Sequence, residues 1–180
     1  MKGMMFTEFL DWVEGRWSPD LVERIIAAAD LPSEGAYTSV GTYGHAELLS
    51  LVTVLGENVS EDASVLVEAF GRALFPRLAI THPHLAAQWD DALDLLARLD
   101  SFIHPEVAKL YPAAEVPRFV VLEQAPGYLR LAYHSKRPFA DLAAGLIAGC
   151  SDYFAANLDV VRTSGQGLAT TFDIREMPKD

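Results

Sequence analysis

The spacing of apolar residues changes at Pro117, and this change constrains the fold more than any other feature of the chain. Before Pro117, apolar residues recur roughly every three to four positions, which is typical of helices with one buried face. After Pro117, short apolar stretches bounded by turn residues are typical of strands, with alternation clearest from Leu129 to Tyr133, and one helical stretch lies between them. The sequence therefore predicts an α+β fold, in which a helical N-terminal lobe packs on a C-terminal four-stranded antiparallel sheet with one crossing helix.

Helix starts and turns give approximate bounds for these elements. Ser18 followed by Pro19 indicates a helix start, and Ser60 followed by two acidic residues indicates another. Pro76 is expected to disturb the end of the helix that Ser60 begins, and residues 81–84 are predicted to form a loop. The predicted helices are 3–14, 18–29, 45–56, about 60–76, 88–103 and 139–154, and the predicted strands are 118–124, 128–135, 158–163 and 168–175.

Composition and charge exclude several classes of protein. The 180 residues are 51% hydrophobic and 22% charged, which indicates a globular chain long enough to bury a cofactor. A formal net charge of −11 argues against nucleic acid or an anionic membrane as a partner. We expect a cytoplasmic location, because no apolar stretch approaches a membrane span and acidic residues interrupt the apolar start of the chain. The single cysteine, Cys150, excludes an intramolecular disulfide and is interpreted as a packing residue.

Three polar side chains alternate along the predicted strand at residues 128–135 and just beyond it. Tyr133, Ser135 and Arg137 are expected on one face of the chain, with ~6.7 Å between successive members. All three can donate hydrogen bonds, and an arginine can bind a carboxylate with two parallel bonds. A row of donors over ~13 Å suits a ligand with two carboxylates. The alternative is a half-exposed strand whose polar side faces water.

A histidine ends the long apolar helix before Pro117. His104 follows the apolar stripe of residues 88–103, whose aspartates, Asp100 included, are expected to face outward. Pro105 should bias His104 away from regular helix, so the imidazole would lie at a junction beside the apolar face. An apolar setting favours the neutral ring, which is the form that a metal requires. The alternative is a packed histidine without a ligand.

These two features together carry a resemblance to a known family. The run His104, Leu110-Tyr111-Pro112 and Pro117, followed by Tyr133-x-Ser135-x-Arg137, resembles the haem nitric oxide/oxygen-binding (H-NOX) family. That family comprises bacterial relatives of the soluble guanylate cyclase sensor domain. The Met1-Lys2-Gly3 start and the order of helices before strands are also similar to it. The resemblance implies one domain over residues 1–180, with a helical lobe at about 1–60, and haem b between the helical lobe and the sheet.

The resemblance also implies roles for particular residues. His104 would be the axial ligand of the haem iron, and the three polar strand residues would hold the haem propionates. Oxygen-binding relatives have a tyrosine at the position of Leu142 and supporting polar groups at two further positions, but all three positions are apolar here. The resemblance therefore implies binding of NO and CO and exclusion of O₂. The remaining implied residues are Pro117 and Met5, packing on the porphyrin, and Phe9, Leu74 and Leu142, in the distal pocket.

The implied function is gas sensing without catalysis. Loss of the iron–His104 bond would let the helical lobe shift against the sheet, and a separate histidine kinase or diguanylate cyclase would receive the signal from a monomeric sensor. Three alternatives remain open from the sequence. They are a haem-free binding module for another flat or lipid-like carboxylate, a haem enzyme such as a peroxidase, and a purely structural interaction domain. A peroxidase would need a polar acid/base group in the pocket, and none is evident.

Overall fold

The computed structural model of the chain describes residues 1–111 and 114–178, and it confirms the predicted combination of helices with a four-stranded antiparallel sheet. Pro112, one of the prolines in the resemblance, lies outside the described residues. The helices are α1 (Met4–Arg16), α2 (Pro19–Ala28), α3 (His45–Val59), α4 (Ala63–Thr81), α5 (Pro83–Ala86), α6 (Ala92–Ala97), α7 (His104–Leu110) and α8 (Ala140–Tyr153), with a π-helical turn at Leu99–Ile103. The strands are β1 (Arg118–Ala125), β2 (Tyr128–His134), β3 (Leu158–Ser164) and β4 (Thr170–Glu176).

The sheet buries one face, as the alternating pattern predicts. Its strand order is β1-β2-β4-β3, with β2 and β4 in the centre, and α8 connects the two hairpins. Leu131 lies opposite Phe172 and Leu129 lies opposite Ile174, and all four side chains are fully buried. Cross-strand apolar pairs of this kind fix the register, because a slip by one residue would turn them all to solvent.

Helices α4 and α8 cross closely and separate two cores. Phe70 of α4 and Leu142 of α8 belong to the core of the helical lobe, whereas Ala79 of α4 and Ile147 of α8 belong to the core beneath the sheet. The crossing depends on Gly145 of α8, where an added Cβ would lie 2.0 Å from the carbonyl oxygen of Glu68. A larger residue there would force the two helices apart, so the position of the lobe on the sheet depends on this contact.

The first residues of the chain pair with the loop between α2 and α3. The Met1 amino group donates to the Tyr43 carbonyl oxygen at 2.7 Å, and the Tyr43 amide donates back to Met1 at 3.0 Å. The Gly3 amide donates to Gly41 at 2.9 Å. A Cβ on Gly3 would lie 1.8 Å from the Thr38 carbonyl oxygen, so only glycine permits this approach. The pairing fixes the segment that leads into α1.

A buried carboxylate anchors the same loop. Glu47, in the first turn of α3, accepts hydrogen bonds from the Ser33 amide at 3.2 Å, from the Ser33 hydroxyl, and from the Tyr37 hydroxyl at 3.0 Å. Burial acts to raise the pKa of Glu47, but the hydrogen bonds from Ser33 and Tyr37 outweigh it and hold the pKa below its usual value. Burial also raises the pKa of Tyr37 to about 12. The loop therefore depends on an ionised Glu47.

Several predicted boundaries in the helical part are wrong. Ser60 does not begin a helix; it ends α3 with a φ of 57°, and Asp62 precedes α4 instead. Pro76 lies inside α4, which continues to Thr81 because buried residues such as Leu74 and Ala79 hold it on both sides of the proline. The predicted loop at 81–84 includes the start of α5, and the predicted helix at 88–103 is divided into α6 and the π-helical turn.

None of the helices within the described residues has both the length and the apolar character of a membrane span.

Candidate functional site

A cavity of about 880 Å³ lies between the helical lobe and the sheet. Its size falls in the range of sites that enclose a small molecule, which is roughly 300–1,000 Å³. Helices α1, α4 and α8 form one wall, and the residues that they contribute to the described lining are all apolar. These residues are Met4, Met5, Phe75, Leu78, Ala79, Leu142, Ala143, Leu146 and Ile147. The cavity therefore suits a large, mainly apolar ligand.

His104 lines this cavity as the first residue of α7. It is helical, with a φ of −65° and a ψ of −38°, so the prediction that Pro105 displaces it from the helix is wrong. A proline in the first turn of a helix lacks an N–H that would be unbonded there anyway, so His104-Pro105 can begin α7 without strain. The side chain is only 15% exposed. Burial lowers the pKa of His104, and the nearby Asp100 carboxylate opposes this only in part.

Asp100 orients the His104 ring. Its Oδ1 lies 3.2 Å from His104 Nδ1 and accepts a second hydrogen bond from the Phe119 amide at 2.8 Å. A carboxylate acceptor places the ring proton on Nδ1 and leaves the Nε2 lone pair free. The neutral imidazole can then donate Nε2 to a metal, with Asp100 in the supporting position that metal-binding histidines ordinarily have.

The role of Asp100 was not predicted from the sequence. This residue was expected to face outward, but the π-helical turn and the neighbouring β1 strand enclose it beside His104. The turn widens because both the Phe102 and the Ile103 amides donate to the Arg98 carbonyl oxygen. The spacing of four residues between an aspartate and a histidine in a helical stretch could have indicated the pair.

The three polar strand residues all line the cavity. Tyr133 is buried, and burial raises the pKa of its phenol, while a hydrogen bond with Ser135 and the charge of Arg137 act in the opposite direction. Strand β2 ends at His134, so Ser135 and Arg137 are positioned by a turn, in which the Arg137 amide donates to Ser135 Oγ at 3.0 Å. His134, the last residue of β2, and Lys136, in the turn, also belong to the cavity lining.

The cationic side chains of the lining lie near the N-terminus, at the start of β1 and after the end of β2. Lys2, Arg118, Lys136 and Arg137 are found there, and Glu115 is the one carboxylate residue in the described part of the lining. This excess of positive charge is local, since the chain as a whole carries −11. A ligand with an anionic end would be attracted to this side of the cavity.

The five other predicted site residues divide into two groups. Met5, Pro117 and Leu142 line the cavity. Phe9 and Leu74 are fully buried in the core of the helical lobe and do not belong to the described lining. They lie one helical turn from Met5 in α1 and from Leu78 in α4, so these neighbours form the cavity surface in their place. Leu78 and Leu146, the latter one turn after Leu142, also line the cavity and were not predicted from the sequence.

The residues present fit a haem. Within residues 1–111 and 114–178, no cluster of three or more metal-ligating side chains occurs, so a metal bound by His104 would need other ligands that arrive with it. A haem supplies four ring nitrogens, a large apolar surface and two carboxylates. The apolar wall, the free imidazole nitrogen and the row of donors correspond to these three requirements.

Known proteins are similar to this chain in sequence and fold. A family model described as haem-NO-binding matches residues 2–162. The crystal structure of an Fe(II) unliganded H-NOX protein from K. algicida is 34% identical, covers 99% of this chain and 98% of its own, and superposes with a TM-score of 0.93. The solution structure of an IWP-051-bound H-NOX from Shewanella woodyi, in the Fe(II)CO state, is 41% identical, covers 99% and 95%, and has a TM-score of 0.84.

A third solved structure has a lower sequence identity and supports only the fold of this chain. It is an H-NOX protein from S. oneidensis in the Fe(II)NO state, which is 24% identical, covers 99% of this chain and all of its own, and has a TM-score of 0.91. No curated protein sequence matches the chain significantly.

Proposed function

Because the chain belongs to the haem-NO-binding (H-NOX) family of haem gas sensors, we propose that it binds NO and CO at a ferrous haem b, excludes O₂, and signals to a separate protein. The observation that carries the proposal is the buried His104 imidazole, which is hydrogen-bonded to Asp100 and lines a large apolar cavity. Haem, when bound, supplies an iron with an open position for a diatomic gas.

Different residues of the chain would hold different parts of the haem. His104 Nε2 would bind the iron, and Asp100 would keep the ring in the tautomer that allows this. Tyr133, Ser135 and Arg137 would donate hydrogen bonds to the propionates. Burial against the apolar wall, where Met5 and Leu142 lie, would contribute most of the affinity, as it does for other large apolar ligands.

The apolar wall supports selectivity for NO and CO over O₂. Bound O₂ carries partial negative charge and is stabilised by a hydrogen-bond donor beside it. The residues that α1, α4 and α8 contribute to the described lining offer no side-chain donor. The same lack of an acid/base group on this wall supports a sensor over a peroxidase.

The path of the signal would begin at α7. Asp100 contacts both His104 at the start of α7 and the Phe119 amide in β1, so release of His104 would alter the connection between α7 and the sheet. A gas can shift this equilibrium only if it binds the released state more tightly. We propose a cytoplasmic monomer of one domain that reports this shift to a histidine kinase or a diguanylate cyclase.

Absorption spectroscopy of the purified, haem-reconstituted protein tests the proposal. Reduced protein should give a five-coordinate ferrous spectrum whose Soret band shifts on addition of NO or CO. The same sample exposed to air should keep the five-coordinate spectrum until it slowly oxidises. A stable oxy-type spectrum with split visible bands would contradict the exclusion of O₂, and failure to take up haem would contradict the sensor itself.

A further inference from the structure

The guanidinium of Arg137 already bonds to a carboxylate of the chain. Its Nη2 donates to the Glu115 carboxylate, and its Nη1 donates to the Glu115 carbonyl oxygen at 3.3 Å. The Arg137 side chain is 17% exposed, whereas that of Glu115 is 69% exposed. The arginine is thus held at the cavity, and the glutamate reaches over it from the solvent side.

Glu115 belongs to a short connection that borders the cavity. Residues 114–117 follow α7, precede β1, contain no helix or strand, and line the cavity at every position. The backbone contact through the Glu115 carbonyl and the side-chain contact through its carboxylate hold this connection onto Arg137 from two points. Displacement of Glu115 from Arg137 would therefore remove both of these contacts between the connection and the turn after β2.

A ligand carboxylate and Glu115 require the same donors. A carboxylate bound by arginine with two parallel hydrogen bonds needs a pair of guanidinium N–H groups in one plane. Glu115 accepts from both Nη atoms of Arg137, so a carboxylate that approaches this edge of the guanidinium must displace at least one of its contacts. Since Glu115 is the one carboxylate residue in the described part of the lining, the competition is specific to it.

We propose that Glu115 is an internal competitor for the carboxylate-binding arginine, and that its displacement opens the 114–117 connection when a porphyrin carboxylate binds. The inference rests on the proposed function, in which Arg137 binds a haem propionate. Glu115 thereby lowers the affinity for ligands that carry a carboxylate and couples their binding to opening of the connection, because an apolar ligand without a carboxylate leaves the Glu115–Arg137 pair and the closed connection in place. Uptake of the ligand and the position of α7, which the connection follows, become linked.

Metal-free porphyrins test this without any contribution from His104 ligation. Protoporphyrin IX carries two free carboxylates, and its dimethyl ester carries none. Fluorescence titration should show that Glu115→Gln binds protoporphyrin IX more tightly than the wild type, by roughly fivefold for the loss of one partly exposed ion pair. Affinity for the dimethyl ester should be the same in both proteins. Glu123→Gln, which removes an exposed charge on β1, is the matched control and should change neither affinity.

The outcomes separate this inference from the proposed function. Equal or weaker binding of protoporphyrin IX by Glu115→Gln would overturn the competition, and so would an equal gain for the dimethyl ester. Failure of the wild type to bind either porphyrin would overturn the proposed function and the inference with it. Because Glu115 is mostly exposed, we expect Glu115→Gln to melt as the wild type does, and a circular dichroism melt checks this.

Discussion

Replacing Asp100 by Asn tests whether a hydrogen bond sets the state of the His104 ring. The asparagine side chain has the same shape, and its oxygen can still accept from the Phe119 amide, which now lies 2.8 Å from Asp100 Oδ1. This oxygen carries no negative charge, so its hydrogen bond with His104 Nδ1, which lies 3.2 Å from Asp100 Oδ1 in the wild type, is weaker. A hydrogen bond to a charged group contributes about 1.5–3 kcal/mol. The lower end applies, because the Asp100 side chain is 32% exposed to screening water.

Two measurements test the effect of this substitution. A loss of about 1.4 kcal/mol corresponds to about tenfold weaker haem retention, measured by transfer to apomyoglobin. In the haem-free protein, NMR titration should show a lower pKa for His104 than in the wild type, since Asp100 raises that pKa against the effect of burial. Asp90→Asn, at an exposed position, is the control. An unchanged His104 pKa together with unchanged retention would refute the orienting role of Asp100.

Three further predictions concern the ligand, the donors and the loop. His104→Gly should bind haem only when free imidazole is supplied, and an unchanged ferrous spectrum without imidazole would identify another residue as the ligand. Arg137→Ala should lose haem faster than Ser135→Ala in the transfer assay, because a charged hydrogen bond contributes about 1.5–3 kcal/mol and a neutral one about 1; equal rates would show that these side chains do not bind the ligand. Glu47→Gln should reduce the free energy of unfolding by about 2 kcal/mol in urea at neutral pH, where three hydrogen bonds to a charge are lost or weakened. Because the folded-state pKa of Glu47 is lowered, its contribution is present above pH 4.5 and is lost on acidification, so both proteins should converge in acid; a constant difference at all pH values would contradict this.

The elements that depend on periodicity could be predicted from the sequence, whereas contacts between side chains that are far apart in the chain could not. The strands and α8 were predicted within two residues because alternation and helical spacing state which face is buried. The π-helical turn at Leu99–Ile103 has no distinct apolar period, so the sequence could not distinguish it from continued α-helix.

In the candidate site, too, some residues could be predicted from the sequence and others could not. His104 and the row that begins at Tyr133 could be selected from residue type and spacing, and the structure brings them to one cavity. The spacing of Asp100 and His104 could have been selected as well. The contact of Asp100 with β1 and that of Glu115 with Arg137 could not, because they are set by the docking of β1 and by the turn after β2. The Phe119 amide lies 19 residues from Asp100, and Arg137 lies 22 residues from Glu115. Such contacts exist only once the tertiary fold has formed.

The pairing of Met1–Gly3 with Gly41–Tyr43 has a consequence for exchange kinetics. Met1, Met4 and Met5 form part of the cavity wall. Met1 and Met4 are held to the loop between α2 and α3 by only a few hydrogen bonds that involve the backbone. Short pairings of this kind open by local unfolding at a free energy well below that of the whole protein. We therefore expect this part of the wall to open while the sheet and α8 stay folded, so that a bound molecule leaves on the timescale of that local opening. Amide hydrogen exchange at Gly3 and Met4 would report its rate directly.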